Sequence, residues 1–328
     1  MKICFLDNVK IPYTSKDFYS NKIRGAENVV LNLSKELSKL NHHVTVYNNS
    51  IINGKIEDVH WHNIESIKDK PIYDLAISNN DINLFDKINA TKKVVISHSI
   101  QSIEKFIRKG QLLAYIKHKP KIALLGSYHK NNRNYLLRMF GSFQVSWGVD
   151  QIFLDAPINN DINNNQAIFT SYTDRNLKLL INIWKEKIFT KDKSLKLLIT
   201  PLDYDYRMFN IINRKFENKS DLITDISNSR VFLIPGHKAE LYCIAAEEAR
   251  ELCVPIITLG IGCLSERVQH GKTGFVAKNI NEFVDYTFQL FNDEILWDNI
   301  RKNLLKLRGS KRWKSITNHF LKNIYEQN

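Results

Sequence analysis

The sequence predicts an α/β protein built from two doubly wound parallel sheets that follow one another along the chain. Three observations predict this fold. Short apolar runs rich in β-branched residues alternate with longer amphipathic stretches, the pattern of buried strands and covering helices. The alternation stops at 155–166, DAPINNDINNNQ, and then begins again. A length of 328 residues also suits two domains of ordinary size.

The first sheet is predicted from apolar runs that begin near the N-terminus. KICFLD, residues 2–7, is the first strand, and a helix beginning at Gly25 places Val29, Val30 and Leu33 on one face. Further strands are predicted at 42–48, 73–78, 92–98 and 121–127, and the stretch after Ser99 is predicted to be helical up to Pro120. The first loop, 8–24, is long for such a unit, which favours a functional role.

The second sheet is predicted from a matching alternation after the break. Strands are expected at 166–172, 194–201, 229–236 and 254–260, and helices at 174–189, 239–252 and 280–305, with one more amphipathic helix at the C-terminus. The predicted domains are therefore 1–154 and 167–308, joined by a linker at 155–166, and residues 309–328 are predicted to return to the first domain as a helix.

Composition excludes several classes of protein. Hydrophobic residues at 43% and charged residues at 25% exclude a disordered chain. No run approaches the roughly 18 apolar residues of a membrane-spanning helix, and the N-terminal segment is typical of a strand rather than a signal peptide. The four cysteines, at 4, 243, 253 and 263, form no CxxC pattern, which predicts reduced, buried thiols in a cytoplasmic protein.

Positive charge is concentrated in one segment. The formal net charge is +13, and the segment 105–149 contains nine Lys and Arg residues and no Asp or Glu. Such a segment attracts phosphate, which can belong to nucleic acid, an anionic lipid or a small ligand. A solvated helix face is the alternative. No recognised nucleic-acid-binding module accompanies the charge, which argues against nucleic acid.

The segment 235–275 is the most informative part of the chain. A strand is predicted to end at Pro235 and a helix to begin near Leu241, and phosphates bind at such helix N-termini in α/β proteins. Glu240 at the helix start could reach a ligand there, and Glu248, two turns further on, could contact a more distant polyol portion. Spacing alone favours the alternative in which Glu240 is a capping carboxylate and Glu247 and Glu248 are solvated.

A resemblance covers nearly the whole chain. The pattern Glu-x7-Glu followed by CVPII and GKTGF resembles the retaining glycosyltransferases of family 4, which have the GT-B fold of two Rossmann-like domains facing a cleft and contain the glycosyl transferases group 1 domain. Further motifs of that family are matched in order at 24–37 (RGAENVVLNLSKEL), 94–99 (VVISHS), 147–150 (WGVD), 173–184 (TDRNLKLLINIW) and 310–316 (SKRWKSI).

The resemblance implies a hexosyltransferase whose nucleotide-sugar is a substrate, with no metal ion and no cofactor. It implies that Glu240 binds the donor hexose, that Glu248 binds the ribose hydroxyls and that Arg175 neutralises the leaving diphosphate. It also implies that His98 contacts the donor sugar and that Gly25 lets its loop approach the phosphate. The remaining implied donor contacts are the backbone N–H groups of Leu241, Tyr242 and Cys243.

Departures from the family pattern leave alternatives open. The family has Gly-Phe-Gly where this chain has Leu241-Tyr242-Cys243, its first glycine is Arg24 here, and a second basic residue after Arg175 is not clearly matched. A nucleotide-sugar epimerase or phosphorylase of the same fold is therefore an alternative, as is a catalytically impaired partner subunit. Asp203-Tyr204-Asp205 forms a D-x-D, a metal-binding signature elsewhere, which is interpreted here as a surface loop.

The resemblance also suggests a setting. The commonest role of that family implies a glycan or lipid-linked acceptor and the synthesis of cell-surface polysaccharide or lipooligosaccharide. We expect a cytoplasmic protein that associates peripherally with the inner face of the membrane. The residues expected to contact an anionic membrane surface are Lys105, Arg108, Lys109, Lys117, Lys119 and Lys121.

Overall fold

The computed structural model describes residues 1–18, 23, 25–160, 162–203, 205–215 and 218–326, with backbone only at 163 and 164. The chain divides into two compact units. Unit 1 comprises Met1–Gly148 and Trp313–Asn328, and unit 2 comprises Val149–Arg312. Each unit contains one sheet, so the predicted α/β architecture with two doubly wound parallel sheets is confirmed.

The described residues of unit 1 form eight strands. They are β1 (Lys2–Leu6), β2 (His43–Asn48), β3 (Gly54–Ile56), β4 (Val59–Asn63), β5 (Ile72–Asn79), β6 (Asn89–Ile96), β7 (Lys121–Leu124) and β8 (Ser142–Gln144). Their order is β3-β4-β2-β1-β5-β6-β7-β8, parallel except for the pair β3 and β4. The helices are α1 (Gly25–Lys39), α2 (Ile103–Arg108), α3 (Gln111–His118), α4 (Ser127–Asn131) and, from the end of the chain, α11 (Trp313–Tyr325).

Burial explains which strands of unit 1 the sequence predicts. Residues 3–6 of β1 are at most 1% exposed, because both faces of this central parallel strand are covered, and the strand therefore reads as an unbroken apolar run. β4 was not predicted, since its only fully buried aromatic, Trp61, lies between His60 and His62. The basic stretch after Ser99 is interrupted at Gly110 (φ +63°) as well as at Pro120, which makes α2 and α3 separate helices.

The last helix packs within unit 1. The indole of Trp313 stacks on that of Trp147, with ring centroids 6.1 Å apart and an interplanar angle of 23°. At the other end of α11, the ammonium groups of Lys92 and Lys121 each donate to the carbonyl oxygen of Ile324 at 3.3 Å. Cations at a helix C-terminus satisfy carbonyls that have no partner inside the helix.

Unit 2 contains six parallel strands. They are β9 (Asn163–Phe169), β10 (Lys196–Ile199), β11 (Ile211–Asn213), β12 (Ser229–Leu233), β13 (Ile256–Thr258) and β14 (Gly274–Val276), in the order β11-β10-β9-β12-β13-β14. The helices are α5 (Gln151–Asp155), α6 (Leu177–Ile183), α7 (Lys219–Ser227), α8 (Ile244–Glu251), α9 (Ile280–Asn292) and α10 (Glu294–Leu307). A π-helical turn, Trp184–Ile188, continues α6.

Several predicted bounds in unit 2 differ from the structure. The helix predicted over 239–252 begins only at Ile244, and the helix predicted over 280–305 is two helices. Asp293 ends α9, and its side chain accepts from the backbone N–H of Leu296 at 2.9 Å, which starts α10. The segment 155–166 lies in unit 2, where its last residues begin β9. The predicted domain boundaries stay predictions.

Each sheet has one topological switch point. In unit 1 the chain runs from β1 to β2 on one side and later places β5 on the other side of β1. In unit 2 the chain runs from β9 to β10 and later places β12 on the other side of β9. Ligands of doubly wound folds bind outside the carboxyl ends of the two strands at such a point. The loops after β1 and β5, and those after β9 and β12, are therefore where binding sites are expected.

Candidate functional site

The switch point of unit 2 brings together two loops, 170–176 after β9 and 234–243 after β12. The side-chain amide of Asn176 donates to the carbonyl oxygen of Gly236, and the Ser171 hydroxyl lies 3.5 Å from Oε1 of Glu240. Arg175 Nη1 lies 3.4 Å from Nδ1 of His237. Two predicted site residues, Arg175 and Glu240, therefore lie on loops that are joined by hydrogen bonds.

Two glycines fix the loop that carries Glu240. Gly236 (φ +94°) and Gly262 (φ +75°) adopt backbone conformations that other residues rarely adopt. A Cβ at Gly236 would lie 2.4 Å from the carbonyl oxygen of Ile261, and one at Gly262 would lie 2.3 Å from that of His237. The backbone N–H of Cys263 also donates to the Glu240 carbonyl at 3.1 Å. Backbone contacts, rather than a helix, therefore position Glu240.

The Glu240 carboxyl is buried, and one of its two oxygens lacks a donor among the described residues. The residue is 8% exposed, and its Oε2 is buried without a hydrogen-bond partner in the described part of the chain. Burial raises the pKa of Glu240, whereas the Cys243 side chain and the charges of Arg175 and His237 oppose the rise. Because buried polar atoms are normally hydrogen-bonded, an open acceptor at a switch point suits a hydroxyl group of a ligand.

Glu248 lies on α8 in a separate group of charges. The pKa of its carboxyl is raised to about 8 by burial and by the Asp150 carboxylate, while Lys219 and Arg214 oppose the rise. Asp150 is 4% exposed and accepts a hydrogen bond from the Lys219 ammonium. The helical spacing expected between Glu240 and Glu248 was wrong, because Glu240 lies before the helix. α8 begins at Ile244 and contains Glu248.

Three residues of this group were missed by sequence reasoning. Asp150 belongs to the WGVD motif and was noted only as a family match, whereas Lys219 and Arg214 had no signal at all. Arg214 follows β11, and its Nε donates to Oδ2 of Asp225 at 2.7 Å. The other members of the group are 64 or more positions from Asp150 in the sequence, a separation over which a single sequence carries no information about contact.

Leu241, Tyr242 and Cys243 lie before α8, outside any helix or strand. Leu241 and Cys243 are buried at 4% and 1% exposure, and the ring of half-buried Tyr242 lies 4.2 Å from the guanidinium of Arg267. Cys243 is the extended N-cap residue (φ −77°, ψ 94°). The prediction that the helix begins near Leu241 was wrong, because α8 begins at Ile244 and its N-cap residue, Cys243, has a non-helical backbone. The donor contacts assigned to their N–H groups stay a prediction.

The alternative in which Glu247 is solvated was wrong. Glu247 is 2% exposed and pairs with Arg250 at 2.6 Å and with Arg267 at 3.4 Å. A buried carboxylate needs such partners to offset the loss of hydration. The acidic residues of α8 therefore have separate environments, with Glu247 in an ion-pair network and Glu248 beside Asp150.

The other two predicted site residues, His98 and Gly25, lie in unit 1. His98 follows β6, its backbone N–H donates to Oδ1 of Asn80 at 2.8 Å, and its Nε2 is buried without a partner among the residues described. Burial, with a smaller effect from His129, lowers the pKa of His98 to about 4, so its imidazole is neutral near pH 7. A Cβ at Gly25 would meet no atom within 4 Å, and Arg24 lies outside the described residues.

Acidic groups outside these loops show no metal-ligand arrangement. Within the described ranges, no three His, Cys, Asp or Glu residues are grouped so that they could bind a metal ion. Asp205 of the D-x-D pairs with its near neighbour Arg207 at 2.7 Å, and Tyr204 lies outside the described residues. Lys178, the next basic residue after Arg175, is exposed on α6.

Comparison with known families decides the nature of unit 2. Residues 209–306 match the family described as Glycosyl transferases group 1. This part of the chain is similar to the glycosyl transferases group 1 domain. The match spans the loop with Glu240, all of α8 and the glycines that fix the loop. No curated protein matches the chain in sequence.

Solved structures show the same fold over the whole chain. Anabaena Alr3699/HepE in complex with UDP is 14% identical, with a TM-score of 0.73 over 99% of this chain and 100% of that one. A glycosyltransferase from Rickettsia africae is 14% identical, with a TM-score of 0.70 over 100% of both chains. Sucrose-phosphate synthase from Thermosynechococcus elongatus is 13% identical, with a TM-score of 0.67 over 100% of this chain and 99% of that one.

The glycosyl transferases group 1 domain and these structures confirm three predictions. They are the resemblance to the group 1 family, the GT-B fold and the glycosyltransferase class of enzyme. The stereochemical course, the substrates and the roles of individual residues stay predictions.

Proposed function

We propose that this chain is a retaining, metal-independent hexosyltransferase that moves a sugar from a nucleotide-sugar donor to a glycan or lipid-linked acceptor. The observation that carries the proposal is the Glu240 carboxyl, buried with an open acceptor atom and under the influence of the Arg175 charge, at the switch point of the glycosyl transferases group 1 domain. The related Anabaena protein was solved with UDP, and in a second structure with UDP and glucose, which supports a nucleotide-sugar donor.

Glu240 and Arg175 suit the two ends of a sugar diphosphate. The Arg175 side chain is 25% exposed and carries a permanent charge, so it can neutralise the diphosphate as it leaves, a task that a metal ion performs in other transferases. Glu240 accepts hydrogen bonds from the hexose hydroxyls. The bond between the anomeric carbon and the phosphate oxygen breaks, and the bond to the acceptor oxygen forms on the same face. The acceptor proton passes to the departing phosphate.

Glu248 and His98 complete the proposed donor contacts. Because the pKa of Glu248 is about 8, its carboxyl is mostly protonated at pH 7 and can both donate to and accept from a ribose diol. The imidazole of His98 is neutral, so it can form a hydrogen bond with a sugar hydroxyl without adding charge to the site. Both assignments rest on the family resemblance together with these environments.

A surface of exposed basic and apolar side chains on unit 1 supports the proposal of a lipid-linked acceptor. Three of the six basic residues expected there are occupied within unit 1, Lys105 by Ser99, Lys117 by Asp86 and Lys121 by Ile324. The remaining three are exposed next to exposed apolar side chains. These basic residues are Arg108, Lys109 and Lys119, and the apolar ones on α2 and α3 are Ile107, Leu113 and Ile116.

We propose that this combination binds an anionic bilayer surface. Within the described residues, no helix is both long and apolar enough to cross a membrane. Leu113→Ser, at a side chain 78% exposed, should reduce co-sedimentation with vesicles of phosphatidylglycerol, and Ile295→Ser, at a side chain 76% exposed in unit 2, is the matched control. Equal binding to vesicles of phosphatidylcholine alone would contradict an electrostatic contribution.

A thermal-shift series tests the donor proposal. UDP, GDP and ADP and their hexose conjugates are added to the full chain, and the nucleotide that binds should raise Tm by mass action. Turnover with that donor and an acceptor extract then separates transfer from the alternatives. Consumption of donor with water or phosphate alone would indicate a phosphorylase or epimerase, and donor binding with no turnover in any extract would indicate an impaired partner subunit.

A further inference from the structure

Three side chains of unit 1 are joined by hydrogen bonds, and none of them is among the residues proposed to bind the donor. Lys93 lies on β6, Asp86 lies in the 3₁₀ helix Ile82–Lys87 that precedes this strand, and His118 is the last residue of α3. Nδ1 of His118 is 3.0 Å from Nζ of Lys93, and Nε2 of His118 is 3.0 Å from Oδ1 of Asp86. The histidine therefore connects an amine to a carboxylate.

The two contacts of His118 fix the positions of its protons. A carboxylate only accepts hydrogen bonds, so the ring nitrogen that faces Asp86 carries the hydrogen, and Nδ1 directs a lone pair at Lys93. Burial and the positive charges of Lys93 and Lys117 lower the pKa of His118, although Asp86 opposes this change. The imidazole is therefore neutral near pH 7 and is able to act as a general base.

The amine of Lys93 loses its proton more readily than that of an ordinary lysine. Burial lowers the pKa of Lys93, the Asp86 carboxylate opposes this change, and the charge of Lys117 adds to it. Nζ also lies 5.9 Å from the centre of the Phe85 ring, on the same 3₁₀ helix as Asp86. Because only the unprotonated amine is a nucleophile, these surroundings increase the reactive fraction of Lys93 near neutral pH.

The order of the three groups is that of an activated nucleophile. Such a nucleophile is hydrogen-bonded to a base, and a third group orients the base. Here the amine of Lys93, the imidazole of His118 and the carboxylate of Asp86 follow in that order. Lys93 is partly exposed, so a small reagent can reach it. Lys117 and Lys119 are exposed on either side of His118 in the sequence, which favours a reagent that carries negative charge.

We propose that Lys93 is a modification site, acylated at Nζ by acyl phosphates with His118 as the base. The lone pair of Nζ attacks the carbonyl carbon, and a C–N bond forms. The bond between that carbon and the phosphate oxygen breaks, and phosphate leaves with the electron pair. One proton of Nζ passes to Nδ1 of His118, and Asp86 stabilises the imidazolium until the proton reaches solvent. The product is a neutral amide, so unit 1 loses one positive charge.

Lys92 is a matched internal control for Lys93. The two lysines are neighbours on β6, and both are partly exposed. The ammonium group of Lys92 donates to the carbonyl oxygen of Ile324 at 3.3 Å and lies over the ring of Tyr325. A backbone carbonyl and a phenol ring are not bases near pH 7. A difference in reaction rate between the two lysines therefore reports the effect of the base.

Mass spectrometry of the full chain after incubation with acetyl phosphate measures both lysines in one sample. Near neutral pH, Lys93 should be acetylated at least about tenfold faster than Lys92. The ratio of the two rates should decrease as the pH rises toward 10.5, the ordinary lysine pKa, because both amines then lose their protons. Equal rates near pH 7, or a ratio that grows as the pH rises, would overturn the proposal.

His118→Asn separates the base from the hydrogen bond. The asparagine oxygen accepts from Lys93 in place of Nδ1, but it does not take up a proton. This variant should lower the acetylation rate of Lys93 at least about fivefold and leave that of Lys92 unchanged. His319→Asn, at an exposed histidine of α11, is the matched control and should change neither rate. An unchanged rate at Lys93 in His118→Asn would refute the role of the base. If His118→Asn does not fold, the comparison of Lys93 with Lys92 in the wild type decides the result.

Discussion

The two switch points of this molecule occupy the same place in their sheets but have different chemistry. Outside β9 and β12, the loops carry Arg175 and His237 next to the buried Glu240. Outside β1 and β5, the loops carry Asp7 and Asn79, with Glu27 from the following helix. The unit 2 loops carry a permanent cation, the Arg175 guanidinium, whose charge acts on the Glu240 carboxyl. The unit 1 loops carry acceptor oxygens, and the ammonium groups of Lys10 and Lys109 line a cavity at that switch point.

This difference shows what a repeated fold determines and what it leaves open. A doubly wound sheet determines where backbone ends and loops converge, and both units follow that rule. The side chains at that place determine the ligand, and here the same topology presents an arginine beside a buried carboxyl in unit 2 and buried carboxyl and amide groups in unit 1. The predictions below test this contrast in order of decreasing effect.

The largest effect is expected from the charged pair of unit 2. Arg175→Ala and Glu240→Ala should each lower turnover on the order of 100-fold, because each removes a preorganised contact to the reacting donor. Arg207→Ala, which removes an exposed guanidinium of the same unit, is the matched control. Turnover of Arg175→Ala close to that of the wild type would remove the basis for a cationic site in unit 2.

The next effect separates the glycines of the two switch points. Gly262→Ala should lower the free energy of unfolding by about 2 kcal/mol or more, because φ is +75° and the new Cβ would lie 2.3 Å from a backbone oxygen. Gly25→Ala, in open space at the start of α1, should leave stability unchanged or slightly higher. Urea denaturation of both variants measures the difference, and equal losses would contradict the contrast.

A further effect is expected from the pH dependence of unit 1. Since the pKa of Asp7 rises from 3.8 to about 7 in the folded state, folding takes up a proton between these values. The stabilising effect of that proton is complete below about pH 4 and is lost as the pH rises through about 7. Relative to Asp7→Asn, the wild type should therefore lose on the order of 4 kcal/mol of unfolding free energy between pH 4 and pH 8. A flat difference would show that Asp7 is not buried in this way.

The smallest effect is expected from metal removal. Because Arg175 is proposed to neutralise the leaving diphosphate, turnover should be the same with and without EDTA. A concentration of roughly 5–10 mM EDTA removes divalent ions from the assay. Addition of Mg²⁺ or Mn²⁺ after dialysis is the complementary measurement. Strict dependence on a divalent ion would contradict the assignment of the diphosphate charge to Arg175.

Sequence patterns predict the fold well where burial is complete and poorly at the edges. The fully buried β1 and the amphipathic α1 were predicted within about two residues, because each has a clear hydrophobic period. β3 and β8, of three residues each, were missed because they are too short to show a period. β4 was missed because His60 and His62 flank its buried Trp61.

The candidate sites were predictable only in part for a related reason. Motif order led to Glu240, Arg175 and His98, but it did not show that a non-helical segment separates Glu240 from α8. Asn79 gave no signal, since an amide at the end of an apolar strand is common. Its Oδ1 is buried and has no hydrogen-bond partner among the described residues. That property depends on three-dimensional contacts made by residues distant in sequence.

The return of α11 to unit 1 has a consequence for synthesis on the ribosome. Unit 2 is continuous in sequence, whereas unit 1 needs residues from both sides of it. Translation therefore completes unit 2 before the helix that covers Trp147 and Phe143 has emerged. We expect unit 1 to remain a partly exposed intermediate during elongation, open to chaperones, while unit 2 is already able to fold. Unit 2 can therefore complete its fold before unit 1, although most of unit 1 is synthesised first.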